Sequence, residues 1–392
     1  MIILPTYSPC LRQGDDVIVD RKLHTGLCEI AGSVGEDITV IAPELTPSHR
    51  LMDALTIAAD ELPYAVAIVQ CDARYRLAPD ERARVEGLVR LANFIYGVGF
   101  GVPRMARRYG KPYIALAEFD LSTHIAFACD GVNWRMRRWL RSIRAFFRFV
   151  GEARDRVGAV AVHCNGYPAM AESRWLHANR LLYLDSRMSE EMVIGEVVLE
   201  ERLKSLMSGR RPRLIYSGRF ESTKGALDVI EVGIKLAARG VDFELSLYGH
   251  GSQAERMRAR VREAGLEARI DVREPVPFPD LVLQAHASDL FLCCHSQGDP
   301  SCTYLEASGA GLPIVGYGNR MWRAFLSSAE NGVVCPVGKP GMMVEAIIDI
   351  LSSHERLVDY ARNSRAFAIQ HSFEREFAKR TAALRASASS AP

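Results

Sequence analysis

Two cations on one short loop are the first residues of this sequence whose types and spacing could do chemistry. Arg219 and Lys224 follow a predicted strand, and Gly218 and Gly225 bracket them. An arginine can hold a diphosphate through two parallel hydrogen bonds, and a lysine adds a point charge. Fixed cations stabilise the negative charge that builds on a departing diphosphate. The loop is therefore a candidate catalytic site, and the alternative is a pair of solvated cations.

The segment 296–315 predicts the end of a strand, a polar loop, a short helix and a tight turn. Ser301 is a good N-cap residue, so the amides after it would be free donors that attract phosphate. These donors belong to Cys302, Thr303 and Tyr304. Glu306 lies one turn further along, where its carboxylate could accept hydrogen bonds from a sugar hydroxyl. The segment suits a sugar nucleotide, and an ordinary crossover helix with a surface glutamate is the alternative.

The surrounding elements predict that these loops meet. Strands and helices alternate through the second half, as they do in a doubly wound parallel sheet. A third loop, with Gly249 and Gly251, would let its backbone approach a ligand closely. Ligands of such sheets lie beyond the carboxyl ends of the strands. Loops 218–225, 249–251 and 296–303 are therefore predicted to form one site.

The first half predicts a second α/β unit. We predict an N-terminal domain at 1–189, a C-terminal domain at 190–372, a last helix at 373–386 and a disordered tail at 387–392. Glu118 closes a predicted strand of the first domain. The loop after that strand carries Asp120 and His124. These three side chains are predicted to face the cleft between the domains, although a lone histidine is more often structural.

A predicted helix at 134–150 combines basic and aromatic residues. Its arginines recur at helical spacing on one side: Arg137, Arg141, Arg144 and Arg148. Its other side is apolar: Met136, Trp139, Leu140, Ile143, Phe146, Phe147 and Val150. Such helices often lie on anionic membrane surfaces. The alternative is a helix that packs against its own sheet and exposes a solvated face.

Composition sets broad limits on the function. At 392 residues, with 48% hydrophobic and 24% charged residues, the chain predicts two soluble globular domains. The net charge of +2 gives no indication of nucleic-acid binding. Nine cysteines without a CxxC pair predict reduced thiols and a cytoplasmic protein. The sequence shows no metal-ligand spacing, no P-loop and no G-x-S-x-G elbow.

Together the three loops resemble the donor domain of the retaining GT-B glycosyltransferases of family 4 over roughly residues 213–350. The resemblance implies two Rossmann-like domains facing a cleft, a UDP- or GDP-sugar donor and metal-independent transfer to a glycan or lipid-linked acceptor. It implies that Arg219 and Lys224 hold the diphosphate and that Glu306 binds the ribose. It also implies that the last helix crosses back to the first domain, where Glu118, Asp120 and His124 lie on the acceptor side.

Two departures from the family pattern leave alternatives open. The family usually carries a second acid eight residues before Glu306, where this chain has Gly298, with Asp299 beside it as a candidate substitute. The family also carries a Gly-Gly pair near the N-terminus, where Gly14 is the remaining candidate for a contact with the donor phosphate. The alternatives to a glycosyltransferase of envelope or exopolysaccharide biosynthesis are a non-catalytic GT-B module that binds nucleotide sugars and a sugar-nucleotide epimerase.

Overall fold

The computed structural model describes residues 1–46, 51, 53–132 and 134–389, and it contains two large parallel sheets. The strands of the first half are β1 (Ile2–Pro5), β2 (Leu11–Gln13), β3 (Asp16–Asp20), β4 (Ile38–Pro43), β5 (Ala54–Ala58), β6 (Ala65–Val69), β7 (Phe94–Tyr96), β8 (Tyr113–Ala117), β9 (Ala161–Asn165) and β10 (Arg180–Tyr183). Seven of them form a parallel sheet in the order β10-β9-β8-β7-β1-β4-β6. Strands β2, β3 and β5 form a small antiparallel sheet beside it.

Helices connect the strands of the first half and cover its sheet. They are α1 (Arg21–Val34), α2 (Pro79–Leu91), α3 (Val102–Arg108), α4 (Leu121–Cys129), α5 (Arg135–Val157) and α6 (Tyr167–Ser173). The chain around Gly14 forms the β2–β3 hairpin. Val17 and Val19 are buried and alternate with less buried neighbours, which is the period of a strand. Helix α1 therefore begins only after Asp20, which accepts a hydrogen bond from the amide of Leu23 as its N-cap.

The second half forms a six-stranded parallel sheet in the order β13-β12-β11-β14-β15-β16. These strands are β11 (Arg213–Ser217), β12 (Glu244–Tyr248), β13 (Ile270–Arg273), β14 (Leu290–Cys293), β15 (Ile314–Tyr317) and β16 (Gly332–Cys335). The order reverses between β11 and β14, so the carboxyl ends of these strands form a topological switch point. The predicted doubly wound sheet is confirmed.

Nine helices of the described chain follow β10. They are α7 (Glu196–Met207), α8 (Ala226–Ala238), α9 (Ala254–Glu263), α10 (Phe278–His286), α11 (Thr303–Gly309), α12 (Arg320–Ala329), α13 (Pro340–Ser352), α14 (His354–Gln370) and α15 (Phe373–Ser389). Helix α15 returns to the first half, where Phe377 and Leu384 pack into its core beside Leu27. It also extends past the predicted end at 386: residues 387–389 are helical, and the rest of the predicted tail lies outside the described residues.

Candidate active site

Three loops meet at the carboxyl edge of the second sheet. The amide of Gly218 donates to the carbonyl of Tyr248 at 3.0 Å, and the amide of Ser296 donates to the carbonyl of Thr223 at 3.0 Å. A Cβ atom on Gly249 would lie 1.9 Å from the carbonyl oxygen of Gly218, so only glycine permits this approach. A Cβ atom on Gly251 would lie 2.5 Å from the carbonyl oxygen of Phe220. The predicted convergence of the three loops is present.

Lys224 lies at the centre of these loops, and its side chain is buried. Its Nζ atom lies 2.5 Å from Oδ2 of Asp299. Burial raises the pKa of the Asp299 carboxyl, but Lys224, His295 and Arg219 outweigh that effect, and the net pKa is below its usual value. Asp299 is thus an anionic partner of Lys224, and its contact with the donor sugar in place of an acid at position 298 stays a prediction.

Arg219 is exposed at the mouth of the same loop. Its backbone carbonyl accepts a hydrogen bond from the hydroxyl of Tyr216, which fixes the loop from below at 3.1 Å. Among the described residues the guanidinium has no ion-pair partner, although its charge helps to lower the pKa of Asp299. The side chain is therefore available to an anion that enters from solvent.

Helix α11 begins one residue later than predicted. Cys302 occupies its N-cap position, and the hydroxyl of Ser301 lies 2.9 Å from the hydroxyl of Thr303 instead of accepting from a backbone amide. The ring of Tyr304 is fully buried and stacks on Trp322 at 5.5 Å, so this residue presents its backbone and not its ring to the site. Donor contacts at positions 301–304 stay predictions.

Glu306 is buried, and one of its carboxylate oxygens is held in place. Oε1 accepts a hydrogen bond of 2.7 Å from Nε of Arg187, whose guanidinium lies 4.0 Å from the ring centre of Phe278. Oε2 is buried and has no partner among the described residues. The pair leaves one oriented acceptor for a ligand hydroxyl. Arg187 lies in the linker after β10, where no motif or spacing indicated its role.

A second group joins the two halves at the start of α11. Nζ of Lys22 lies 2.5 Å from the carboxylate of Asp185 and 3.0 Å from Sγ of Cys302. Burial raises the pKa of the Cys302 thiol to about 11, and Lys22 opposes that shift only in part. Lys22 and Asp185 were not predicted as site residues, because they are distant in the chain from each other and from Cys302.

The first half contributes a cleft of about 630 Å³ that includes Lys22 and Asp185 in its wall. Glu118 and His124 line it, and their role on the acceptor side stays a prediction. Burial, and then the charge of Asp185, raises the pKa of Glu118. Nε2 of His124 lies 3.0 Å from a carboxylate oxygen of Glu152 on α5. The cleft thus presents the carboxyl group of Glu118, and Glu152 holds His124 in place.

Arg380 completes the cleft from the C-terminal helix. Its guanidinium lies 4.2 Å from the ring centre of Tyr183, and its Nε donates to the hydroxyl of Tyr96 at 3.2 Å. Arg380 also lines the cleft itself. The last helix therefore supplies a cation to the first domain's pocket, which the sequence analysis did not predict.

Two predicted site residues are placed elsewhere. Asp120 is fully buried, accepts from the amide of Thr123 as the N-cap of α4 and pairs with Arg320 of the second half. Its oxygens are used by the fold, so the acceptor-side role predicted for Asp120 has no support in this geometry. Gly14 lies in the exposed β2–β3 turn, where nothing in the described chain lies within 4 Å of a Cβ built on it. The predicted contact of Gly14 with the donor phosphate has no support in this geometry.

A further polar group lies beside Lys224. His295 and Gln297 are buried, and neither the ring nitrogens of His295 nor the amide group of Gln297 has a hydrogen-bond partner among the described residues. Burial and the charge of Lys224 lower the pKa of His295 to about 3. Unpaired buried polar groups are costly, and a ligand that supplies partners relieves that cost.

Comparison with known structures identifies the fold. Anabaena HepE in complex with UDP is 14% identical, covers 99% of this chain and 100% of its own, and has a TM-score of 0.66. WaaG, a glycosyltransferase involved in lipopolysaccharide biosynthesis, is 13% identical over 97% of this chain and 98% of its own, with a TM-score of 0.65. Sucrose-phosphate synthase from Thermosynechococcus elongatus is 14% identical and has a TM-score of 0.68. The fold is GT-B.

Sequence comparison adds the family. Residues 198–367 match the family model described as glycosyl transferases group 1. The matched segment includes all three loops of the candidate site. The GtfA subunit of a Streptococcus gordonii UDP-N-acetylglucosamine–peptide N-acetylglucosaminyltransferase is 28% identical over 143 residues. That match spans 34% of this chain and 27% of the relative.

Proposed function

We propose that the protein is a retaining glycosyltransferase that moves a sugar from a UDP- or GDP-sugar to a glycan or lipid-linked acceptor in cell-envelope or exopolysaccharide biosynthesis. The observation that carries this proposal is the convergence of Arg219, Lys224 and Glu306 at one sheet edge, next to a cleft of the other domain. Three of the similar structures are of HepE in complex with UDP, with UDP and glucose, or with UDP-glucose, which favours a uridine nucleotide.

The donor side follows from charge and burial. Lys224 holds the diphosphate as a buried point charge. Arg219, which is exposed, holds it through two parallel hydrogen bonds. Glu306 accepts a ribose hydroxyl through the oxygen that Arg187 leaves free. As the glycosyl–phosphate bond breaks, the two cations stabilise the charge on the leaving diphosphate. We propose that the protein needs no resident metal or other cofactor for this step.

The acceptor enters from the first domain. Its hydroxyl attacks the anomeric carbon on the face from which the diphosphate departs, so the configuration is retained. The leaving phosphate takes the hydroxyl proton, and no side-chain base is required. Glu118, in the cleft wall beside Lys22 and Asp185, accepts a hydrogen bond from the acceptor and orients it.

A non-catalytic nucleotide-sugar module is the second candidate, because one observation favours it. A Cβ on Gly298 would lie 3.2 Å from Cβ of Arg320, so helix α12 leaves little room for the acid that the family pattern puts there. Asp299 provides a carboxylate one residue later and in contact with Lys224. The cleft of about 630 Å³ in the first domain favours a transferase, because a transferase needs room for an acceptor. A nucleotide-sugar-binding module and an epimerase need none.

The test separates donor binding from transfer. Thermal shift with UDP and with GDP measures binding, since a bound ligand raises the melting temperature by mass action. Incubation with UDP-sugars or GDP-sugars, followed by detection of free nucleotide, measures turnover by hydrolysis or transfer. We expect stabilisation and slow donor hydrolysis by the wild-type protein. Stabilisation without turnover of any donor would favour the binding module, and no response to either nucleotide would refute the site.

The cellular setting is part of the proposal. All nine cysteines are free, which suits a reducing compartment, and we propose a cytoplasmic protein that is peripheral on the inner face of the membrane. Within the described residues, no helix is long and apolar enough to cross a bilayer.

A further inference from the structure

Helix α5 packs on the protein through one row of side chains at helical spacing. Sγ of Cys129 on α4 lies 3.5 Å from the hydroxyl of Ser142, and His124 on α4 contacts Glu152 at 3.0 Å. One turn further, a guanidinium nitrogen of Arg156 donates to the carbonyl of Phe119 at 3.1 Å. These contacts fix which side of α5 faces the first domain.

The apolar row of the same helix faces the opposite way. Trp139 is 60% exposed and Phe147 is 68% exposed, whereas Ala145 on the packed row is buried. The predicted alternative, in which the apolar side packs against the sheet, is therefore wrong for this helix. Soluble proteins rarely expose a contiguous set of large apolar side chains without a function for it. The exposed set comprises Met136, Trp139, Leu140, Phe146, Phe147 and Val150.

A row of arginines flanks the apolar row. Arg137, Arg141 and Arg144 are exposed, and in the described part of the chain none of them pairs with a carboxylate. The next arginine in the row, Arg148, pairs with Glu152 at 3.3 Å. The aromatic and aliphatic side chains suit the acyl chains of a membrane interface. The arginines beside them, which have no carboxylate partner, suit its anionic headgroups.

We infer that α5 docks the protein on an anionic lipid bilayer, with its apolar row inserted at the headgroup boundary and its arginines among the headgroups. We call Met136, Trp139, Leu140, Phe147 and the three unpaired arginines the docking face. The charge of these arginines selects an anionic lipid surface over a second copy of this chain, whose own arginine row would oppose it.

The helix continues from the docking face into the acceptor cleft. Its second half places Arg148, Glu152 and Asp155 in the cleft wall with Glu118. Docking through the first half would therefore hold the cleft beside the headgroup layer. This geometry favours a bilayer-borne acceptor within the proposed transferase function, on which that part of the inference rests. The docking itself does not depend on catalysis.

Vesicle flotation tests the docking directly. We expect the wild-type protein to float with phosphatidylcholine vesicles that contain phosphatidylglycerol, to stay in solution with phosphatidylcholine alone, and to dissociate at high salt. Replacement of Arg141 and Arg144 by glutamine should weaken the partition coefficient about 30-fold, at roughly fivefold per arginine. Trp139→Ala and Phe147→Ala should each weaken it about tenfold.

The matched control removes two exposed arginines from another helix. Arg256→Gln/Arg262→Gln on α9 should float like the wild type, and so should Leu283→Ala, which removes an exposed apolar side chain elsewhere. UDP thermal shift should be unchanged in every α5 variant, so a loss of docking is distinguishable from failure of the donor site. The inference is overturned if wild-type protein fails to float or if the α9 and α5 variants float alike. It is also overturned if light scattering shows that the wild type is a dimer and that Trp139→Ala dissociates it.

Discussion

The ion pair between Arg187 and Glu306 permits the sharpest prediction, because one partner is buried and the other belongs to a different segment. The carboxylate of Glu306 is 8% exposed and Arg187 is 31% exposed, with 2.7 Å between Nε and Oε1. Arg187→Ala would leave Glu306 buried, charged and unpaired. Breaking such a pair costs about 3 kcal/mol when one partner retains partial access to water.

The free energy of unfolding in urea measures this cost. Arg187→Ala should lose about 3 kcal/mol, and the double variant Arg187→Ala/Glu306→Gln should recover about 1–2 kcal/mol of it, because a neutral amide tolerates burial better than a charge. UDP should stabilise Arg187→Ala less than the wild type, since the Glu306 carboxylate is no longer oriented.

The ion pair of Arg375 with Glu190 supplies the control. It has a similar distance of 2.7 Å, but its side chains are 54% and 50% exposed. Arg375→Ala should therefore cost less than about 1 kcal/mol. Equal losses for Arg187→Ala and Arg375→Ala, with no recovery in the double variant, would refute the reasoning about burial and the orientation of Glu306.

Three further predictions concern the site and the core. Lys224→Ala should lower turnover of the donor at least about 100-fold, because the leaving diphosphate loses a fixed cation, and release of free nucleotide measures it. Gly249→Ala should lower the melting temperature and abolish UDP binding, because its Cβ would meet a backbone oxygen at 1.9 Å, whereas Gly87→Ala in an open helix position should not. His163 and His295 have pKa values lowered to about 3 by burial. Since the unfolded chain takes up these protons first, the free energy of unfolding should fall below about pH 6.5, by up to about 1.4 kcal/mol per pH unit for each histidine.

Controls for these variants lie on the surface of the same domain. Lys235→Ala removes an exposed lysine from α8 and should leave donor turnover unchanged. His354→Gln removes an exposed histidine, and its free energy of unfolding should fall in acid as it does in the wild type. Full turnover in Lys224→Ala would contradict the role of its charge at the diphosphate. A free energy of unfolding that falls in acid as steeply in His163→Gln as in the wild type would contradict the role of the buried histidine.

Local pattern was sufficient for the second domain. Alternation of apolar strands and helices predicted the parallel sheet, and the loops after its strands predicted the sheet edge where Lys224 and Glu306 lie. Both signals depend on residues close together in the chain, and parallel strands leave little freedom in where their carboxyl ends meet. Residues 11–20 carry a weaker periodicity, because the strands of the β2–β3 hairpin are short.

The sequence by itself predicted that three loops meet at one sheet edge and that α5 has basic and apolar rows. Only the tertiary structure decided that Arg187 orients Glu306. It also decided that Asp120 caps a helix and pairs with Arg320, and that the apolar row of α5 faces away from the first domain. The physical reason is the same in each case. Which polar group is paired, and which apolar face is covered, depends on partners far away in the chain, and sequence spacing carries no information about them.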